Sequence, residues 1–378
     1  MRPVKVSQER NSMANGELII FTDSSMNIGG QELQALQQMV SLNQAGFETL
    51  LLCKPGSAIS KRAREFDTTV QEIRFRNAFH FPSFNHVFRI ILNKKPKAIF
   101  CHGSHDALIC AFATKWITFF FSYRISVYRV KTFQHGYPLS FAYNHLFTAT
   151  LTPSAYLRAR LLVNSAIESK KIKVIYPGID FSRLSKDDDH LPIHVQDWLS
   201  AHPGPVIAHG AILRGEKGHQ IILQALFEVK KTYPDLRYVI AGGGQDKSLL
   251  ETAISQLGLQ ENVFLSGILH NIAPLLKVSD IAVLPSLIEP LGMFQIEAQY
   301  LEVPTIVSDA GGIPETISHQ KTGLMIEAGH VRKWVDAILW TLDHRNEAKQ
   351  MAKAGKEFVL AKFSLESNTA ELIRLIKN

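Results

Sequence analysis

The sequence predicts an α/β protein built as two doubly wound domains whose parallel sheets face each other across a cleft. Three observations predict it. The chain has 378 residues, more than one hydrophobic core usually serves. Short runs of branched apolar residues alternate with longer stretches of helical period, the pattern of repeated strand and helix units around parallel sheets. That alternation is interrupted by a polar stretch at 180–191 containing SKDDDH, the best linker candidate, and then resumes.

Residues 1–16 are polar and charged where a signal peptide needs an apolar run, and read as a flexible start. The first domain is expected over 17–185, with strands at 17–23, 47–53, near 70–75, 98–102, 127–133 and 146–151, and helices at 31–43 and 85–92. The second is expected over 186–362, with strands at 206–209, 236–241, 263–266, 281–284 and 305–307. Three helical segments follow at 331–341, 345–361 and 366–377, with no strand left for them to cover, and residues 363–378 are expected to pack back on the first domain. Such Rossmann-like sheets hold ligands outside the carboxyl ends of their strands, where loops pass into helices.

Composition excludes wholesale disorder: 46% of residues are hydrophobic and 20% charged. Cys53, Cys101 and Cys110 have no metal spacing and read as reduced core residues of a cytosolic protein. Residues 1–185 hold 23 Lys and Arg against 11 Asp and Glu, a balance of +12, whereas the remainder holds 18 against 23, a balance of −5. A basic half joined to an acidic half suits a polyanionic partner, a lipid surface or a phosphorylated saccharide; a solvated basic surface without a partner is the plainer reading. No nucleic-acid motif is present. The run at 107–123 is split by Lys115 and closed by Arg124, so it does not read as a membrane span. Its Trp116, Phe119, Phe120, Phe121 and Tyr123 beside Arg129 and Lys131 suit an anionic headgroup zone, or equally a buried helix and strand.

Most of the chemistry sits in PSLIEPLGMFQIEAQYLEVPTIVSDAGGIPE, residues 285–315. A helix starting near Met293 and Phe294, just after Gly292, would aim free backbone amides at the cleft, with Glu297 offering a carboxylate to paired hydroxyls. Gly311 and Gly312 permit close backbone approach around phosphate oxygens. His102 and His105, at an expected strand end, read equally well as scaffold.

This segment resembles family 4 of the glycosyltransferases, also called glycosyl transferases group 1, with its Glu pair in a Glu-Pro-small-Gly context. The likeness extends to HGAILRGEKGH (209–219), VIAGGGQD (239–246), VFLSGIL (263–269) and SDIAVLPS (279–286). In the first half it includes IGGQELQ from residue 28, FQHGYP (133–138) and KVIYPGID (173–180). The resemblance implies the GT-B fold and transfer of a sugar from a nucleotide diphosphate with retention of configuration. It also implies roles: His135 touching the transferred sugar, Glu289 its hydroxyls, Glu297 the ribose, Lys217 the diphosphate, and the base against the loop of Gly267 to Leu269. Gly29 and Gly30 of the glycine-rich loop, and Gly210 and Gly312, would complete the donor contacts. Many members have arginine directly after the loop glycine; here Gly210 is followed by Ala211, and Arg214 is the candidate replacement.

Lys217 and helix amides can hold a departing diphosphate without a cation, and no Asp-x-Asp lies on a loop near that site, so no metal or other cofactor is expected. The expected partners are a UDP-sugar first and a GDP-sugar second, with a saccharide or lipid-linked acceptor, as in lipopolysaccharide or other cell-surface glycan synthesis. The place of work would be cytoplasmic, at the inner membrane face. The alternatives are a nucleotide-sugar epimerase of the same architecture, a noncatalytic nucleotide-sugar-binding module, and a nicotinamide-dependent oxidoreductase, the last weakened because GGGQDK lacks the third glycine of the dinucleotide fingerprint.

Overall fold

The computed structural model describes residues 16–377 apart from 67, 79, 135 and 186–189. The first domain is a parallel sheet of β1 (Leu18–Asp23), β2 (Glu48–Cys53), β3 (Thr69–Glu72), β4 (Ala98–Cys101), β5 (Ser126–Val130), β6 (Ala149–Thr152) and β7 (Ile172–Val174), in the order β3-β2-β1-β4-β5-β6-β7. Its helices are α1 (Gly30–Gln44), α2 (Ala58–Glu65), α3 (Phe81–Lys94), α4 (Ser104–Phe121) and α5 (Ala155–Leu162). Central strands are buried throughout, as two covered faces require: Ile19, Phe21, Leu51 and Phe100 pack toward α1, and Ile20, Leu52 and Ile99 toward α3 and α4.

After α6 (Ile193–Ala201), β8 (Val206–Gly210), β9 (Arg237–Ala241), β10 (Val263–Gly267), β11 (Ile281–Leu284), β12 (Thr305–Ser308) and β13 (Leu324–Ile326) form a second parallel sheet, ordered β10-β9-β8-β11-β12-β13. Helices α7 (His219–Val229), α8 (Lys247–Gln256), α9 (Ala273–Lys277) and α10 (Phe294–Tyr300) alternate with those strands, and α11 (Val331–Asp343), α12 (Arg345–Phe363) and α13 (Leu365–Lys377) complete the chain.

Two strands escaped the sequence reading. β7 and β13 have three residues each, too few to show a period. The C-terminal helices therefore do have a strand to cover: Trp334, Val335 and Ile338 of α11 are buried in one core with Ile306 and Ile326. The polar linker also departs from expectation. Phe181 and Leu184 are buried with Ile296 and Phe363, and Phe181 stacks on Tyr300 at 4.4 Å, so this part of the connection is packed against the second domain. The expected flexible start lies outside the described residues, apart from Gly16.

α13 lies on the first domain. Leu372, Leu375 and Ile376 join the core of Phe21 and Phe100, the Tyr128 hydroxyl donates to the Leu375 carbonyl at 2.6 Å, and the Gln38 amide donates to Asn368 at 3.0 Å.

Candidate active site

In both sheets the strand order reverses direction beside the first strand, between β1 and β4 and between β8 and β11. A doubly wound sheet opens a crevice there, outside the carboxyl ends of the strands. The two carboxyl edges meet through Glu315, which follows β12: its carboxylate accepts from the Ala155 and Tyr156 amides at the start of α5 at 2.7 and 2.8 Å and from the Tyr176 hydroxyl at 2.9 Å. Lys362 adds a bond to the Glu315 carbonyl at 2.8 Å and lies over the Tyr176 ring.

At the second crevice, the loop leaving Gly210 carries Lys217 on a short turn that ends at Gly218. Lys217 Nζ donates to Glu289 Oε2 at 2.6 Å, and the two side chains keep only 13% and 14% of their exposure. The Leu287 amide donates to the Glu216 carbonyl at 2.8 Å, tying the two loops together. Gly311, at φ +58°, crosses Glu289 so closely that a Cβ there would stand 2.0 Å from the Glu289 carbonyl oxygen, so only glycine fits. Beyond the pair, α10 begins at Phe294 with Met293 as its N-cap; the Ile296 and Glu297 amides donate to the Met293 carbonyl at 3.0 Å, which leaves the Phe294 and Gln295 amides ahead of them for a ligand. Glu297, in that first turn, is buried and accepts from the Arg183 guanidinium. Burial raises its carboxyl above the ordinary range, with Arg183 opposing. Beneath Lys217, His209 and His219 stack at 4.5 Å. Burial holds both neutral, His219 at about 4, and Lys217 pushes each the same way.

Of the donor residues expected from sequence, Gly210, Leu269, Phe294 and Glu297 line one open groove of about 430 Å³. Lys217 and Glu289 form the ion pair just described. Arg214 is turned to Glu216 at 3.0 Å, half exposed, and lines a neighbouring cavity with His219. Of the glycine pair, the Gly312 amide donates to the Glu289 carbonyl at 2.9 Å and so fastens the Glu289 loop. Gly292 and Gly267 take φ of +84° and +76° at the turns before α10 and after β10. Gly29 and Gly30 begin α1 in the first domain, and the Gly29 amide is capped by the Glu32 carboxylate at 2.8 Å. His135 lies outside the described residues. Sequence reasoning missed Arg183 and Glu315: the first acts across 114 positions, and the second closes the quoted glutamate segment without a role of its own. No group of three or more His, Cys, Asp or Glu disposed to hold a metal ion occurs among the described residues.

The first crevice holds Asp23, His102 and Asp106, all buried. His102 stacks on Phe21, and burial lowers its pKa to about 4, which favours the neutral ring. Asp106 accepts from the Thr22 hydroxyl and the Gly103 amide. Burial pushes the Asp23 carboxyl from 3.8 up to about 7; the Ser25 amide opposes this and Asp106 adds to it. The folded chain therefore binds more protons than the unfolded one between about pH 4 and 7, and stability falls as pH rises through that window. Asp23→Asn is expected to melt higher than the parent above pH ~7 and to lose that advantage toward pH ~4, measured by calorimetry across the range.

The comparisons with known proteins agree with this architecture. The model described as Glycosyltransferase Family 4 matches residues 28–183, and the one described as Glycosyl transferases group 1 matches 193–358. The chain is 26% identical over 234 residues to the GDP-mannose-dependent alpha-(1-6)-phosphatidylinositol monomannoside mannosyltransferase of Mycobacterium tuberculosis, 59% of this chain and 60% of that one. The match thus spans about three fifths of that relative's length. A glycosyltransferase from Rickettsia africae superposes with a TM-score of 0.84 at 20% identity, covering 96% of this chain and 98% of that one. An Anabaena protein crystallised with UDP superposes with a TM-score of 0.80 at 17% identity, covering 95% and 99%. With one family model on each domain and the fold shared from end to end, the chain belongs to the family 4 glycosyltransferases of GT-B architecture.

Proposed function

We propose that the protein transfers a hexosyl group from a nucleoside diphosphate sugar to a saccharide or lipid-linked acceptor, with retention of configuration and without a divalent cation. The observation that carries this reading is the Lys217–Glu289 pair, held beside the start of α10 at the crevice of the second sheet. Transfer requires negative charge to be stabilised on the departing diphosphate as an oxocarbenium-like sugar forms. A preorganised ammonium and the first amides of α10 supply that potential. Glu289, already at the ammonium, would accept from hydroxyls of the sugar. Glu297 would exchange part of its Arg183 contact for the ribose hydroxyls, and the base would enter the groove by Leu269. The family resemblance assigns His135 to contact with the transferred sugar.

The donor base would be uracil or guanine, a choice supported by the mycobacterial relative named for GDP-mannose and by the Anabaena structure that contains UDP. A thermal-shift panel of nucleoside diphosphates discriminates, because a ligand of the folded state at about a hundred times its Kd adds roughly 2.7 kcal/mol of stability. A shift with UDP or GDP alone names the base, and a flat response to every nucleotide overturns the reading. Turnover is expected to persist in EDTA. Incubation with donor alone separates transfer from epimerisation, since an epimerase needs no acceptor, and the anomeric coupling of the product, read by NMR, tests retention.

A further inference from the structure

On the flank of the first domain, α3 and α4 lie side by side and carry aromatic rings outward. Phe119 is 81% exposed, Phe81 72% and Phe120 61%, with Trp116 and Phe121 more than half exposed. The rings touch in a continuous ridge: Phe81 on Phe84, Phe84 on Trp116, Trp116 on Phe120, Phe120 on Phe119, and Phe84 through Phe88 to Phe121. Leaving such a contiguous apolar surface in water is unfavourable, and ridges of this kind mark a docking face.

Charge identifies the occupant. Residues 73–167 contain twelve Lys and Arg but a single carboxylate, Asp106, which is buried at the far end of α4. Lys115 adjoins Trp116, and Arg89 adjoins Phe88, both exposed. The Tyr123 hydroxyl bonds the Lys95 and Pro96 carbonyls at 2.7 and 3.2 Å, bringing exposed Lys94, Lys95 and Arg124 to one end of the ridge. Aromatic rings edged by cations, with the exposed Glu17 beyond Tyr123 paired to Lys97 at 3.6 Å, match the headgroup zone of an anionic bilayer. A second copy of the chain would set the same positive charge against itself across a two-fold contact.

We infer that the α3–α4 ridge docks the protein on anionic lipid, with Phe81, Trp116, Phe119 and Phe120 entering the interface and Arg89, Lys94, Lys95, Lys115 and Arg124 meeting headgroups. The inference deepens the glycosyl-transfer reading by naming the surface where a lipid-linked acceptor is met, but its observations are independent of the donor site. α3 begins after the carboxyl end of β3, so the Phe81 end of the ridge lies toward the cleft side of the sheet.

The test is flotation of the full chain with vesicles of phosphatidylglycerol and phosphatidylcholine, and with phosphatidylcholine alone, at low and high salt. Binding is expected on the anionic vesicles at low salt and is expected to weaken by at least about tenfold in high salt. Phe119→Ser with Phe120→Ser, and separately Lys94→Glu with Lys115→Glu, should each reduce binding by about tenfold or more. These side chains are exposed, and unchanged melting temperatures will show that the variants fold. No binding to anionic vesicles at low salt overturns the inference, as does equal binding to neutral vesicles. Binding that survives both double variants places the contact elsewhere and also overturns it. Sedimentation showing a dimer that the Phe119→Ser, Phe120→Ser variant dissolves assigns the ridge to a second copy instead. None of these readouts uses a nucleotide sugar, so a negative result leaves the donor-site reading to its own tests.

Discussion

Lys217→Ala is expected to lower kcat by about 10²-fold or more, the order seen when one preorganised charge at a developing anion is removed, equivalent to roughly 2.7 kcal/mol of transition-state stabilisation. The structure adds a second consequence. Lys217 and Glu289 are both largely shielded from solvent and bonded to each other, so removing the ammonium leaves Glu289 without its charge partner. The single variant should therefore also lose melting temperature, and Lys217→Ala with Glu289→Gln should recover part of that loss without recovering turnover. Steady-state kinetics with calorimetry on the same samples separates the two effects. Near-parental kcat in Lys217→Ala rejects the assignment of the ammonium to the leaving diphosphate.

Glu315→Ala is expected to lower kcat by roughly 10- to 100-fold while nucleoside diphosphate affinity stays within about threefold, because a misplacement of order 1 Å between reacting groups is enough for such a loss. Glu315 contributes no atom to the donor groove. It accepts two amides of α5 and the Tyr176 hydroxyl, joining the loop after β12 to the first domain. Hydrogen bonds to a charged acceptor contribute about 1.5–3 kcal/mol each, so its loss frees the two domains to change their angle. Glu315→Asp, one methylene shorter, should fall between parent and alanine. Small-angle scattering should report a broader distribution of domain separations for the alanine variant. Parental kcat with parental scattering would show that the contact does not set the cleft.

Much of the fold was legible because its signal is local. Strands such as Leu18–Asp23 and Ile281–Leu284 are buried on both faces and read as unbroken apolar runs between helical stretches. β7 and β13 were not legible, since three residues carry no period and their strand state comes from pairing with β6 and β12. The linker misled for a related reason: charge around SKDDDH masked Phe181 and Leu184, whose burial depends on Ile296 and Phe363 more than a hundred positions away.

The site divides along the same line. Glu297 could be singled out because a helix start precedes it in sequence, and Lys217 and Glu289 because their segments resemble the family's. Their partners could not all be found that way. Arg183 reaches Glu297 from the linker, and Glu315 reaches α5 from the opposite domain. The first depends on how the connection folds back onto the second domain and the second on how the two domains are set against each other, and no periodicity encodes either. The Gly312 amide shows the converse limit: a glycine beside a proposed phosphate site proved to bond the Glu289 carbonyl, a choice fixed by the path of the neighbouring loop.

The most direct test of the account is a crystal structure of the protein with the nucleoside diphosphate that gives the largest thermal shift. The account predicts the β-phosphate within about 3 Å of Lys217 Nζ, in hydrogen-bonding range, and beside the first amides of α10, with the ribose at Glu297 and no cation between phosphate and protein. A diphosphate bound elsewhere, or held through a divalent ion while Lys217 stays on Glu289 out of reach, would contradict it.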